Sequence, residues 1–182
     1  MNKMRSLEEI LEAGRKSKAT ELLELFDSLE PASLDFMYGT WKGEEFITGH
    51  FLEGALAASG WYGKTFKSPE EVHPLLYYTN TKRNKTFAMN PALAIFKPWF
   101  LNLAKSSIAP LIVQLTRPFA STKQYKARLR MLEYRGKSSA TMIYDQHPIN
   151  DVFRKVDERT LLGLMDMRQM DTPYFFILRR VA

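Results

Sequence analysis

Two short segments with apolar residues at helical spacing open the chain. Ser6-Leu7-Glu8-Glu9 has the Ser-x-x-Glu pattern of a capping box, which predicts that a helix begins there. A second apolar stripe runs through Phe26 and ends before Pro31, so a second helix is predicted. Two such helices are too small to bury a core alone. Residues 1–30 are therefore predicted to be an extension packed on a larger domain.

The periodicity changes to that of strands further along the chain. Ala127, Leu129 and Met131 alternate with basic residues, which is the pattern of a strand with one buried face. Arg135-Gly136-Lys137 supplies a turn to the next strand. The predicted strands are residues 36–48, 61–66, 72–79, 125–134, 138–145, 149–156, 160–166 and 174–180, with a short helix at 51–59. Many short adjacent strands indicate an antiparallel sheet.

Residues 91–120 do not fit this pattern. They contain Pro91, Pro98, Pro110 and Pro118 among many apolar residues, which rules out one long helix or a central strand. We predict an apolar flap or a short helical crossover that covers part of the molecule.

The segment GTWKG, residues 39–43, places Trp41 between two glycines. Glycine is used where a strand bends sharply or where backbones approach closely. We expect Gly39 and Gly43 to bend the first strand of a closed barrel and Trp41 to close one end. The last strand neighbours the first in a barrel, so Arg179 is expected to stack on the indole.

These observations predict a mainly β protein with one antiparallel barrel. The barrel is expected to span residues 31–182 as a single globular unit, with the N-terminal helices packed on it and a short helical insertion.

Composition and charge narrow the class of protein. Apolar residues make up 45% of the chain, and it has no cysteine and no apolar run near the length of a membrane-spanning helix. A cytoplasmic protein is therefore expected. Residues 61–137 carry 14 basic and 3 acidic side chains. This basic segment leaves open a transient contact with a membrane surface, or pairing with the acidic N-terminal segment. No nucleic acid partner is expected, because no phosphate loop or recognition motif accompanies it.

Five ordered motifs resemble the mostly bacterial GXWXG family, whose C-terminal part is a domain of unknown function. They are GTWKG, Gly60-Trp61-Tyr62-Gly63-Lys64-x-Phe66, Ala127-Arg128-Leu129-Arg130, Tyr144-Asp145-x-x-Pro148-Ile149-x-Asp151-x-Phe153-Arg154 and Leu162-Gly163-x-Met165-Asp166. The resemblance implies a calycin-like, lipocalin-related barrel. Haem barrels of the nitrobindin type carry Gly-x-Trp-x-Gly-x-Gly, and here Glu45 replaces the last glycine.

A barrel of this type can hold a ligand, and the predicted interior is rich in aromatic residues and methionine. We predict that it binds a small hydrophobic molecule, a lipid or fatty acid, under the proline-containing segment. The predicted ligand-binding residues are Trp61, Tyr62, Met89, Phe96, Trp99, Phe100, Met131, Met142 and Tyr144.

A second hypothesis is an enzyme of unknown reaction. Asp145, His147 and Asp151 form a dense polar group in a predicted sheet, where an acid beside a histidine could transfer protons. The competing interpretation is a turn at Asp145 to Pro148 followed by solvated charges.

Cofactors are not expected from the histidine pattern. No two of His50, His73 and His147 lie within four residues of each other, so no local metal-binding pair is present and no metal site is predicted. A single histidine could ligate haem iron, but an isolated histidine is more often structural.

Overall fold

The structure is a computed structural model that describes residues 6–12, 15–79, 83–93, 102–168 and 170–181. The strands are β1 Glu30–Pro31, β2 Gly39–Glu45, β3 Trp61–Phe66, β4 Val72–Tyr78, β5 Thr86–Ala88, β6 Ala127–Tyr134, β7 Lys137–Tyr144, β8 Ile149–Asp157, β9 Thr160–Met167 and β10 Tyr174–Arg180. The helices with described bounds are α1 Leu7–Glu12, α2 Ala19–Ser28, α3 Leu34–Met37, α4 Ala55–Ser59 and α5 Ala109–Ala120, with a 3₁₀ turn at Pro91–Leu93.

Eight of the strands form a closed antiparallel barrel. Their order is β8, β7, β6, β4, β3, β2, β10 and β9, and the pairing of β9 with β8 closes the ring. Strands β1 and β5 lie outside it, on the edges of β8 and β4. The predicted fold class, a mainly β antiparallel barrel with helical additions, is confirmed.

The barrel wall is weakest between β4 and β6. These strands pair only at Val72 and Ala127, because β5 occupies the edge of β4 from Leu76 to Tyr78. The chain after β5 instead meets the end of α5, where the Asn90 N–H donates to the Ala120 carbonyl. The structure therefore has a gap in its wall beside β4, and α5 lies at that gap.

The two N-terminal helices pack on the outer face of β8, β9 and β10. In the ring of strands, β9 and β10 lie opposite the gap between β4 and β6. The predicted capping box is confirmed: the Ser6 N–H donates to Glu9, and the Glu9 N–H donates to the Ser6 hydroxyl. Apolar side chains of α1 and α2 form one buried cluster with outward-facing residues of β8, β9 and β10. In β10, Phe175 and Ile177 join this cluster, while Phe176 points to the barrel interior. This strand reads as continuously apolar because both of its faces are buried.

Trp41 is completely buried, and its indole N–H donates to the Met37 carbonyl at 2.7 Å. The cation above its ring is Arg180, whose guanidinium carbon lies 4.2 Å from the ring centroid. The prediction of Arg179 is corrected here. Arg180 is the residue opposite Trp41 in the β2–β10 register, so the two side chains share a face. Arg179 points to the other face, toward Glu44.

The two glycines of the GTWKG segment have different roles. Gly39 has a φ of +118°, a conformation that side-chain-bearing residues rarely adopt. Gly43 has no such constraint, but a Cβ there would lie 2.0 Å from the Trp61 ring. Gly39 thus permits a turn of the backbone, as predicted, whereas Gly43 makes room for a second tryptophan.

Helix α5 lies within the segment where the prolines argued against a long helix. It is short and begins with Pro110 in its first turn, where the missing N–H removes no helical hydrogen bond. Pro118 lies in its last turn. In the described part of this segment, the 3₁₀ turn Pro91–Leu93 and helix α5 fit the predicted helical crossover.

Candidate functional site

A cavity of about 340 Å³ is lined by residues of the barrel interior and of helices α4 and α5. Its walls are almost entirely apolar. The residues that line it include Leu52, Ala55, Leu56, Trp61, Leu75, Tyr77, Met89, Leu103, Ile112, Val113, Ile149, Met165, Tyr174 and Phe176, and its polar lining includes Lys64, Tyr144, His147 and Asp151. A cavity of this size is at the lower end of the range for small-molecule sites in proteins.

A lysine lies at the buried end of this cavity. The Lys64 ammonium is 2.8 Å from Asp151 Oδ2, and it also donates to the Pro74 carbonyl at 3.1 Å and to the Tyr144 hydroxyl at 3.3 Å. Its three N–H groups are thereby all used. The side chains of Lys64 and Asp151 are 3% and 1% exposed, so this ion pair is cut off from solvent.

Aromatic rings surround the same ammonium group. The Lys64 nitrogen lies 5.1–5.7 Å from the ring centroids of Trp61, Tyr144 and Phe176. These rings offset part of the cost of burying the charge through their negative faces. Lys64 is therefore held in one position by both hydrogen bonds and rings.

Strand irregularity explains why a lysine points inward. The β3–β4 register shifts on both sides of Gly63, which has a φ of +150° and on which a Cβ would lie 1.9 Å from the Trp41 carbonyl. Simple alternation from the inward Trp61 would direct Lys64 to solvent. The bulge at Gly63 reverses that direction. Sequence reasoning missed Lys64, and the available signal was the glycine directly before it.

One polar atom of the ion pair has no protein partner. Asp151 Oδ1 is buried without a hydrogen bond to any residue that the structure describes. Burial raises the pKa of the Asp151 carboxyl, and Lys64 opposes that rise. Burial also raises the pKa of the neighbouring Tyr144 hydroxyl well above its usual value, so this group keeps its proton. Asp151 and Tyr144 thus both belong to the cavity lining, and Oδ1 of Asp151 is itself buried.

A second carboxylate, Glu45, fixes the position of α4 beside the cavity. It accepts hydrogen bonds from the Tyr174 hydroxyl and from the Ala57 N–H, the latter at 2.6 Å. Burial raises the pKa of Glu45, and these hydrogen bonds act in the opposite direction. A glycine at this position, as in the nitrobindin type of motif, would leave the helix without this contact.

Eight of the nine predicted ligand-binding residues divide into three groups. Trp61, Met89 and Tyr144 line the cavity. Met142 is buried in the barrel core away from the lining, and Tyr62 packs edge-on against Tyr78. Phe96, Trp99 and Phe100 lie outside the described residues.

The expected inward position of Met131 is corrected by the structure. Met131 is 46% exposed, whereas Ala127 and Leu129 on the same strand are buried. The inward alternation ends there because β6 meets β4 only through Ala127 and continues past the barrel rim toward its hairpin.

The polar residues predicted for catalysis do not form one cluster. His147 and Asp151 both line the cavity, and His147 Nε2 donates to the Pro91 carbonyl at 2.6 Å. Asp145 is a half-exposed surface residue near Arg128. The structure therefore brings two of the three to the cavity.

The remaining histidines have structural surroundings. His50 accepts from the Leu52 N–H through Nδ1, and its Nε2 lies 3.3 Å from the Thr172 carbonyl. His73 packs against Tyr125 with ring centroids 4.6 Å apart and the ring planes tilted by 41°. Within the described part of the chain, no group of three or more acidic, histidine or cysteine side chains could hold a metal ion. None of the helices in that part is long and apolar enough to cross a membrane.

Comparison with known proteins shows to which family the chain belongs. The profile of the GXWXG protein matches residues 24–82, and that of a domain of unknown function (DUF4334) matches residues 125–180. A crystal structure of a protein from Thermomonospora curvata is 31% identical, with a TM-score of 0.69, and the match covers 97% of this chain and 96% of that one. This chain belongs to the GXWXG family. No curated protein matches it at a significant level.

The two parts of this GXWXG protein each contribute to the buried ion pair. Lys64 lies in the segment that matches the GXWXG profile, and Tyr144 and Asp151 lie in the C-terminal domain. Helix α5 lies between the two matched segments. The cavity is therefore built where the two segments meet.

Proposed function

We propose that this protein binds, in the barrel cavity, a small apolar molecule with one hydroxyl group. The observation that carries this proposal is a buried carboxylate oxygen, Asp151 Oδ1, which has no hydrogen-bond partner among the described residues and belongs to a residue that lines a largely apolar cavity. A buried acceptor without a donor is costly, so a ligand that supplies the donor gains that energy on binding.

The size of the cavity limits the ligand. An apolar protein cavity of about 150 Å³ accommodates benzene. The present cavity has a volume of about 340 Å³, so it has room for a ligand roughly twice the size of benzene. A medium-chain alcohol or a two-ring alcohol, of roughly 10–15 non-hydrogen atoms by this scaling, matches the volume.

The negative charge of Asp151 determines which polar group the ligand can carry. Lys64 has all three donors engaged, and the free atom belongs to a carboxylate. A fatty acid would place a second carboxylate against Asp151, and like charges in a buried site repel strongly. We propose that a hydroxyl group instead donates to Asp151 Oδ1, after a small shift of the lining side chains exposes this buried atom, and accepts from the Tyr144 hydroxyl. The alcohol is therefore favoured over the fatty acid expected from the sequence.

The test compares three probes of similar length by isothermal titration calorimetry: 1-decanol, its methyl ether and decanoic acid at pH 7.5. We expect 1-decanol to bind roughly tenfold or more tightly than the ether, because a hydrogen bond to a charged group is lost in the ether. Decanoate is expected to bind more weakly than 1-decanol. Tighter binding of decanoate would refute the proposed polar group and leave the cavity as a fatty-acid site.

A matched variant separates the polar group from the cavity itself. The double substitution Lys64→Met and Asp151→Leu removes both charges together, which avoids leaving one buried charge alone. We expect this variant to keep binding the ether and to lose its preference for 1-decanol. If none of the probes binds to the wild type and native mass spectrometry detects no co-purified molecule, the binding function itself is wrong.

Only two of the three residues predicted for the enzyme hypothesis line the cavity. Asp151 and His147 remain candidates for proton transfer, because both line the cavity. Asp145 is separate from them on the surface. Conversion of 1-decanol or its ether to a new product during the titrations, detected by gas chromatography, would favour catalysis over binding.

A further inference from the structure

An apolar stripe on α5 faces solvent. Ile108, Leu111, Leu115 and Phe119 are 52%, 58%, 69% and 89% exposed. They recur at steps of three and four residues, so they lie on one side of the helix. Single exposed apolar residues are normal, but a contiguous stripe with a nearly fully exposed phenylalanine indicates an interaction surface.

The adjacent side of the same helix lines the cavity. Ala109, Ile112, Val113 and Ala120 belong to the cavity wall. The apolar surface of α5 therefore continues from the cavity to the outside of the molecule. A partner that contacts the exposed stripe would contact the cover of the cavity at the same time.

The charge around this helix favours an anionic partner. Between Glu71 and Glu133 the sequence contains ten basic residues and no acidic one. Exposed cations lie close to the stripe along the chain: Lys105, which also donates to the Phe51 carbonyl, before it, and Lys123 after it. Arg117 is on the opposite side of α5. Two copies of the chain facing each other through this surface would bring like charges together. A second copy is therefore a poorer fit than an anionic surface.

We propose that the exposed stripe of α5 docks on the surface of an anionic lipid bilayer. The 12 residues of α5 are too few to span a bilayer, which requires about 20. A helix with an apolar face and basic flanks lies in the plane of the interface, with its apolar side chains among the acyl chains. Its cations then meet the lipid phosphates, which attract each basic residue near the surface.

The test is sedimentation with vesicles, using the full chain without added ligand so that the result does not depend on the proposed cavity function. Vesicles of 70% phosphatidylcholine and 30% phosphatidylglycerol are compared with pure phosphatidylcholine. We expect binding to the anionic vesicles, weaker binding at high salt and weaker binding to the neutral ones.

The variant Leu115→Gln with Phe119→Gln removes the two most exposed side chains of the stripe. We expect it to bind anionic vesicles at least about tenfold more weakly, since each buried apolar side chain contributes a factor of that order. The control is Met131→Gln, which changes an exposed apolar residue on β6 and is expected to bind like the wild type. Circular dichroism verifies that both variants are folded.

Three results would overturn the proposal. One is no binding of the wild type to anionic vesicles. Another is equal binding by the wild type and the double variant, which would mean that the basic residues act without the stripe. The third is a wild-type dimer in light scattering that the double variant abolishes, which would identify the stripe as an interface between copies.

Discussion

Replacing Gly43 with alanine tests how the GTWKG segment is connected to the cavity. The new Cβ would lie 2.0 Å from Trp61 Cη2 and 2.3 Å from Cζ3. Carbon atoms prefer a separation of about 3.5–4.0 Å, so the indole ring must move by more than 1 Å. Gly43 has no left-handed φ, which leaves this steric contact as the main cost.

The expected loss follows from the size of the clash. Inserting a methyl group into a well-packed core costs about 1–3 kcal/mol of unfolding free energy. At about 2–4 °C per kcal/mol for a chain of this length, the melting temperature should fall by about 2–12 °C. Urea denaturation followed by circular dichroism gives the free energy directly, without relying on tryptophan fluorescence.

A double-mutant cycle with Trp61→Phe identifies the cause. The phenyl ring lacks the far indole atoms that meet the new Cβ, so Gly43→Ala should cost little in that background. The coupling energy is then expected to be about 1–3 kcal/mol. If Gly43→Ala costs the same in both backgrounds to within about 0.5 kcal/mol, the Trp61 ring does not rest on Gly43 and the reasoning is refuted.

The control for this cycle is Gly39→Ala. Its Cβ would meet only Arg180 Nη1, at 3.4 Å, but the backbone there has a φ of +118°. Its cost should come from backbone strain, on the order of 1–3 kcal/mol, and should not depend on Trp61.

Three further predictions concern the barrel end and pH. Trp41→Ala should cost about 3–5 kcal/mol in thermal or urea unfolding, because a large buried side chain is truncated. Arg180→Met should cost about 2–4 kcal/mol, since it removes the cation above Trp41 and leaves backbone carbonyls without a donor, whereas Arg179→Met should cost about 1 kcal/mol or less. Similar losses for the two arginine variants would contradict the assignment of Arg180. Burial lowers the pKa of His50 below its usual value of 6.5, and its Nδ1 accepts from the Leu52 N–H, so protonation opposes folding. Neutral His50 therefore contributes stability above pH 6.5, and this contribution is lost as the pH falls below 6.5. The variant His50→Asn keeps an acceptor but does not titrate. In urea unfolding it should lose less stability than the wild type when the pH is lowered from 7.5 to 5.5. An identical pH dependence would contradict this.

Much of the barrel could be predicted because its signals are local. Alternation in residues 127–130, the turn at Gly136 and the Ser6–Glu9 capping box each depend on neighbours in the sequence. The strand predictions for 61–66 and 174–180 agree with the structure at both ends. The barrel prediction also made the first and last strands neighbours, and β2 does pair with β10, whereas the pairing of β4 with β6 was not predicted.

The site was harder to predict because its geometry depends on irregular backbone and on pairs far apart. Lys64 turns inward only because of the bulge at Gly63, and a bulge is not visible in the alternation of residues. Its partner Asp151 looked like one of three similar polar residues, although Asp145 faces solvent. The choice between Arg179 and Arg180 depended on register across β2 and β10, which the sequence does not specify.

The Lys64–Asp151 pair is difficult to explain by stability alone. Burying both charges costs several kcal/mol for each ion, and an apolar pair of similar volume is often as stable or more stable. The two residues line a cavity, although their side chains are only 3% and 1% exposed. Furthermore, one oxygen of Asp151 has no donor among the described residues, which is unusual for a buried polar atom. The proposed ligand offers an explanation for the arrangement: Lys64 fixes the carboxylate through Oδ2, and a hydroxyl group on an apolar molecule would supply the donor that Oδ1 lacks among the described residues.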